Sequence, residues 1–298
     1  MKHLLIVIMA LFCLTTNAQN QVVRRHGAKK EVGAVTSKKT TGTSFNRKKT
    51  IPAVKKQTQH RANISYNNGV LTVGGVNYKF VRVEAGTFNM GATSEQQDAY
   101  SDEKPVHKVT LSRNYYIGKT EVTQALWRAV MGSNPSYHKG NNRPVEHVSW
   151  DDCQVFIKRL NAATGKKFRL PTEAEWEFAA RGGNKSNHYQ YSGSDNIGDV
   201  AWYNGNSNST THDVATKQSN ELGIYDMSGN VWEWCSDWYG DYSSNAQYDP
   251  AGPSSGSYRV FRGGSWYGGA RGCRSSRRNY STPDGSSYFL GLRLALSE

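Results

Sequence analysis

"RLPTEAEWEFAARGG", residues 169–183, spells out both ends of one short helix. Thr172 and Glu175 stand at capping-box spacing, which satisfies two otherwise unpaired backbone donors at a helix start. Gly182 and Gly183 stop the helix, since glycine alone enters the left-handed conformation of a helix end without penalty. The carboxylates Glu173, Glu175 and Glu177 suit the positive end of the helix dipole and are not read as acid/base catalysts.

Working outward, "PVEHVSWDDCQVFIKRLNAATG" (144–165) holds a second helix, with Ser149 as N-cap and Asp152 three residues on. Cys153, Phe156, Ile157 and Leu160 form its apolar stripe, so Cys153 is read as core. Val122, Leu126, Ala129 and Val130 are spaced for one face of an earlier helix, with Thr120 before it and Gly132 after. Before that, residues 74–92 alternate apolar and polar side chains with glycine breaks, the pattern of short strands and a turn. The following stretch continues it, with Val106, Val109 and Leu111 expected to face inward. After residue 183 the chain is rich in Gly, Asn, Ser, Tyr and Trp with little period. Trp202, Trp232, Trp234, Trp238 and Trp266 crowd this part. The expectation is an α+β, coil-rich domain of low regular content, pinned by aromatics, ions or disulfides.

The amino terminus, MKHLLIVIMALFCLTTNAQ, has a short positive start, an apolar run from Leu4 to Leu14 and small residues after it. It reads as a secretory signal, residues 1–18, cut after Ala18. The run is too short for a transmembrane anchor, which needs about 20 apolar residues. Phe12 before Cys13 argues against lipidation. The expected localisation is exported, periplasmic or extracellular.

The formal charge of +13 is unevenly placed. Residues 19–68 hold 12 Lys/Arg and one acid, Glu31, whereas residues 69–298 are nearly neutral. The basic segment has too little apolar surface to offset ordering entropy and is read as a disordered tether. It suits an anionic surface electrostatically. With only Phe45 and Tyr66 as aromatics, it gives no sign of specific nucleic-acid binding. Residues 69–298 are the folded domain.

Several blocks in fixed order resemble one family: "GTFNMGA", "YYIGKTEVTQALW", "RPVEHVSWDDC", "FRLPTEAEWEFAARGG", "GIYDMSGNVWEWCSDWYG", "RVFRGGSW" and "LGLRLA". Together, from about Val73 to Leu296, they resemble the sulfatase-modifying-factor, or formylglycine-generating-enzyme-like, superfamily. The resemblance implies an irregular α+β fold related to C-type lectins. It implies no single activity, because the superfamily includes copper oxidases that convert a sulfatase cysteine to formylglycine, non-heme iron sulfur-transfer enzymes, and envelope or binding domains.

The copper oxidases hold copper(I) with two cysteines five residues apart after a Gly-Gly-Ser motif, soft thiolates suiting that ion. Counting forward from Gly263-Gly264-Ser265, Cys273 takes the second place and Gly268 the first. Counting back from Thr282-Pro283-Asp284, Cys273 matches neither. The catalytic candidates are therefore Cys273 and, beside it, Ser265. Cys235 is the remaining partner for Cys273, either as a second copper ligand or in a disulfide closing 38 residues. Such a loop is worth about 4 kcal/mol on the chain-entropy estimate, and an oxidising compartment favours the bond. Were Cys273 free, Arg271 and Arg274 beside it would lower its pKa.

The resemblance also implies a structural calcium held by Asp226, Gly229, Val231 and Glu233, hard oxygen ligands from one loop. Trp232, Trp266, Arg277 and Arg278 are candidates to line a groove. The scattered His107, His138, His147, His188 and His212 show no ligand spacing for iron. The leading expectation is an exported binding or structural envelope protein without the standard copper pair, acting on an unknown protein or envelope partner. The alternatives are a cysteine-to-formylglycine oxidase using Cys273 and an unusual second ligand, and an iron sulfur-transfer enzyme.

Overall fold

The computed structural model describes residues 63–298. The expected signal and most of the expected tether lie outside them. Helix α1 spans Gln124–Met131, α2 Trp150–Thr164, α3 Glu173–Ala180 and α4 Ile197–Val200. The caps read from sequence hold for α2 and α3. Ser149 and Thr172 each accept from the backbone three residues on, while Asp152 and Glu175 reach back to the cap. α1 begins later than the apolar spacing suggests. Its N-cap is Thr123, not Thr120, because Val122 is drawn into the core by hydrogen bonds that pair it with Val145 and Leu292.

Three sheets carry the domain. The first runs β1 (Ile64–Asn67), β2 (Val70–Val73), β3 (Val76–Val83), β6 (Tyr115–Gly118), β13 (Ala295–Ser297) and β7 (Phe168–Arg169), antiparallel throughout. β1 lies within the stretch expected to be tether, so the folded unit begins before residue 69. The second sheet is β11 (Arg278–Ser281), β10 (Arg259–Arg262), β8 (Trp232–Trp238) and β12 (Leu290–Leu292), with β12 parallel to β8. The third pairs β4 (Gly86–Met90), β5 (His107–Leu111) and β9 (Gln247–Tyr248). In β5, His107, Val109 and Leu111 face inward, while Val106 precedes the strand and is exposed, against expectation.

The stripe of α2, Cys153, Phe156, Ile157 and Leu160, packs with Leu126, Phe168, Trp232 and Trp234 in the largest apolar cluster. Burying each large side chain contributes about 1.5–3 kcal/mol before entropy is counted. A second cluster forms around Trp176, Phe178, Cys235 and Val260. A small third one holds Tyr191, Val200 and Cys273.

Long irregular stretches are fastened by buried charge. Arg262, Arg274, Arg278 and Arg293 are almost wholly buried. Each faces a buried carboxylate: Arg274 meets Glu103, Arg278 meets Glu173, Arg293 meets Glu233 and Arg262 meets Glu177. Glu173 and Glu177 thus do more than complement a helix dipole. Burial would raise Glu173, but Arg278 and Arg262 hold it below the usual carboxylate range.

Candidate functional site

The segment after β10 turns at Gly263-Gly264-Ser265 and brings Cys273 back against it. Gly264 has φ +78°, and a Cβ there would lie 2.6 Å from the Cys273 sulfur, so the turn and the thiol require each other. Cys273 is fully buried. Burial pushes its thiol up to about 12, only partly countered by the Ser265 backbone N–H. The flanking arginines do not activate it. Arg274 is bound to Glu103 by both terminal nitrogens at 2.6 Å. Arg271 donates to the Asp98 carbonyl and stacks on Tyr100. Ser265 is equally buried.

Cys235 and Cys273 are both free thiols and lie in different apolar clusters. The expected bridge between them is not formed. Cys235 points from β8 into the core beneath α3, whereas Cys273 packs on Tyr191 and Val200. Cys235 is therefore no second ligand for a metal held at Cys273 either. At position 268 a Cβ would meet Ser265 atoms at 3.6–3.9 Å, which is ordinary contact. Space exists there for a side chain; the sequence supplies glycine.

Residues 74–298 match the family model described as "Sulfatase-modifying factor enzyme 1-like domain". The chain belongs to this family. Its relatives include a protein named "Chaperone protein LppX" from Paenibacillus barcinonensis, 35% identical over 271 residues, covering 73% of this chain and 89% of that one. A "Formylglycine-generating enzyme" from Streptomyces coelicolor is 37% identical over 192 residues, covering 58% of this chain and 59% of the enzyme. Among solved structures, Treponema denticola variable protein 1 superposes with a TM-score of 0.70 at 36% identity, covering 77% of this chain and 98% of that one. The fold expectation thus stands in its main part: mixed short strands and few helices in the arrangement of sulfatase-modifying-factor-like domains.

Within this family member, the loop expected to hold calcium is differently disposed from the sequence reading. The Glu233 carboxylate accepts from Arg293 through both oxygens and from Trp176 Nε1 at 2.7 Å. It is closed by protein groups. Asp226, at φ +61°, accepts from the Ala215 N–H at 2.7 Å. Facing it is Glu121, fully buried, with neither carboxylate oxygen hydrogen-bonded. Burial first, then the Asp226 and Glu233 charges, raise Glu121 well above the carboxylate range; burial also raises Asp226. Glu121 and Asp226 form a buried acid pair, and the oxygens of Glu121 have no other donor, the oxygen chemistry a hard cation takes. Among the described residues no three His, Cys, Asp or Glu side chains gather on one metal-sized point. The sequence reading missed Glu121. Its signal was an acid set between the inward-facing residues Ile117 and Val122.

The expected groove separates into different roles. Trp232 lies in the main core. Arg278 is buried in its bidentate pair with Glu173, which removes it from any groove. Arg277 is partly exposed, pairs with Asp102 and stacks on Tyr100. Trp266 alone sits under an exposed face, beside Tyr267 and Tyr288. Glu146 lies near that face. It is buried, accepts from the His138 N–H at 2.7 Å and leaves Oε2 unpartnered. Burial raises it to about 7. No helix among the described residues is long and apolar enough to cross a membrane.

Proposed function

We propose that this chain is an exported binding member of its family rather than a cysteine oxidase. One observation carries the reading: among the described residues the only thiol beside the Gly-Gly-Ser turn, Cys273, is sealed in an apolar cluster, and glycine stands at position 268. A copper(I) site of the kind the resemblance implies needs two accessible thiolates. Here the other described thiols, Cys235 and Cys153, are buried in other clusters. The relative named as a chaperone supports a role outside oxidation, and the relative named as a formylglycine-generating enzyme keeps oxidation as the alternative. Export rests on residues 1–18, and an anionic surface is the proposed contact of the basic segment. A calcium ion on Glu121 and Asp226 would pin the loops structurally.

The test is copper(I) titration of the purified chain against a chromogenic chelator, followed by incubation with oxygen and a cysteine-containing sulfatase peptide. No aldehyde and no tight copper(I) site are expected. Aldehyde formed in proportion to added copper(I) would replace this reading with the oxidase.

A further inference from the structure

Three loops from distant parts of the chain bring six rings together: Tyr137, His138, Trp266, Tyr267, Tyr288 and Phe289. Tyr137 is 71% exposed, Tyr267 61% and Tyr288 41%. The rings are in mutual contact. Tyr137 and Tyr288 lie 6.1 Å apart between centroids, and Tyr267 and Tyr288 6.4 Å. Tyr267 is parallel to Phe289, within 8°. Contiguous exposed aromatic surface is costly to leave in water and marks a binding face more often than chance.

The face is built to be stiff. Trp266 forms its floor, its N–H donating to the Asn230 carbonyl at 2.8 Å and its Nε1 to the Tyr288 carbonyl at 3.1 Å. The Tyr137–His138 loop is held from below by the Glu146 carboxylate, and Ser136 Oγ accepts from the Glu146 N–H. Two polar atoms under the rings, Glu146 Oε2 and His138 Nε2, are buried and unpartnered. A pre-ordered face loses little entropy on binding.

Chemistry narrows the occupant. The rings carry no net charge, and the ionisable groups nearest them are mixed in sign, Glu146 below with Lys139 close to it and Arg143 close to His138, so neither a strongly anionic nor a strongly cationic ligand is matched. An extended peptide would add to a strand edge, but the edge next to this face is spent. Beyond Phe289, β12 pairs with β8 on one side, and on the other its Leu292 carbonyl accepts from Val122 N–H at 2.9 Å. What remains is an aromatic strip with three tyrosine hydroxyls, its exposed rings turned 48° (Tyr137 and Tyr288) and 81° (Tyr267 and Tyr288) from one another, so that each offers a separate stacking face. A pyranose ring offers the complement: a flat face of C–H groups and a rim of hydroxyls that both donate and accept.

We propose that this aromatic face binds an uncharged glycan chain, its sugar rings stacking on Tyr137, Tyr267 and Tyr288. The proposal rests on the binding reading given above and names its ligand class.

The experiment uses the full chain with three neutral polysaccharides, a β-glucan, a mannan and a xylan, in co-sedimentation, and their oligosaccharides in titration of intrinsic fluorescence. Binding to at least one is expected, insensitive to 0.5 M salt and weakened at least tenfold in Tyr137→Ala and in Tyr267→Ala. Both rings are mostly exposed, so the melting temperature should hold, and Tyr248→Ala, 70% exposed on β9, should bind like the parent. Binding to none of the three overturns the proposal, as does binding that survives both substitutions. Binding abolished by salt assigns the contact to the basic segment instead, and retention of only an extended peptide assigns the face to a polypeptide. The aldehyde assay on the same preparation separates the two failures: aldehyde sinks the binding reading, whereas no aldehyde and no glycan sinks only the ligand class.

Discussion

Replacing Arg274 with methionine tests whether buried ion pairs hold the coil of this domain in place. Glu103 sits in a single 3₁₀ turn, Ser101–Glu103, and Arg274 follows Cys273, so the pair joins segments 171 residues apart. Both partners are fully buried. The Glu103 carboxylate also accepts from Ser276 Oγ at 2.5 Å and from the Tyr100 N–H at 2.9 Å. In Arg274→Met the carboxylate keeps these two donors but loses its countercharge. Breaking a buried pair from one side costs about 3–5 kcal/mol. For a domain of this size each kcal/mol shifts Tm by about 2–4 °C, so a fall of roughly 6–20 °C is expected by circular dichroism at pH 7. Glu103→Leu combined with Arg274→Met should recover much of the loss, because no buried charge is then orphaned. The pH dependence supplies a sign. Burial would raise Glu103, but Arg274, Ser276 and the Tyr100 N–H hold it below the usual range. Its contribution is therefore present above the ordinary glutamate pKa and is lost as pH falls through the depressed value. The gap between parent and Arg274→Met should close in acid. A single-mutant Tm within 2 °C of the parent at pH 7, or a gap that widens in acid, would refute the view that this pair fastens the loop.

Cys273 should resist iodoacetamide in the native state at pH 8. A thiol at about 12 has roughly a thousandth of the thiolate of a free cysteine there, and labelling at an ordinary rate would contradict the burial described. Reductant should leave Tm unchanged, since Cys153, Cys235 and Cys273 form no bridge; a fall of several degrees would point to a disulfide. Glu146 is raised to about 7, so its stabilising contribution is full below the ordinary glutamate pKa and is lost as pH rises through 7. Glu146→Gln should flatten the decline in stability between about pH 5 and 7, and an unchanged slope there would count against the assignment. Calcium should raise Tm in the parent and not in Glu121→Gln; a calcium response that Glu121→Gln leaves intact would move the site elsewhere.

Local signals in the sequence carried the helices. The capping boxes of α2 and α3 are short-range chemistry, complete within four residues, and the structure keeps both. α1 was displaced by three residues because Val122 is fixed by two distant backbone partners, Val145 and Leu292, which no local pattern displays. The tether boundary was set too late for a related reason. β1 is polar on one side, and only its pairing with β2 makes it a strand. The site was less legible than the fold. Cys235 and Cys273 looked like partners because the rest of the chain offers few thiols, but thiol count says nothing about which core each one enters. Glu233 looked like a cation ligand because its loop supplies oxygen; Arg293, 60 residues away, takes that oxygen first. Its neighbour Glu121 was overlooked because an acid beside apolar residues reads as a strand's solvent side until its burial is known.

The arginines give these misplacements a common cause. In a domain with short strands and few helices, backbone pairing alone cannot fix a loop such as 263–277, which carries Arg274. Bidentate arginine–carboxylate pairs can, because a guanidinium fork sets both distance and direction. Arg274, Arg278 and Arg293 each hold a carboxylate through two nitrogens, 60 to 171 residues away, while Arg262 meets Glu177 through one. An arginine in sequence looks like surface charge, and an acid at a helix start looks like dipole chemistry. Their long-range pairing is what turns both inward, and it leaves the solvent face to rings. Tyr137, Tyr267 and Tyr288 can stand exposed because their loops are fastened from beneath in different ways, the first by the Glu146 carboxylate, the second by the Arg274 pair and the third by Trp266, so their outer side chains are free for a ligand.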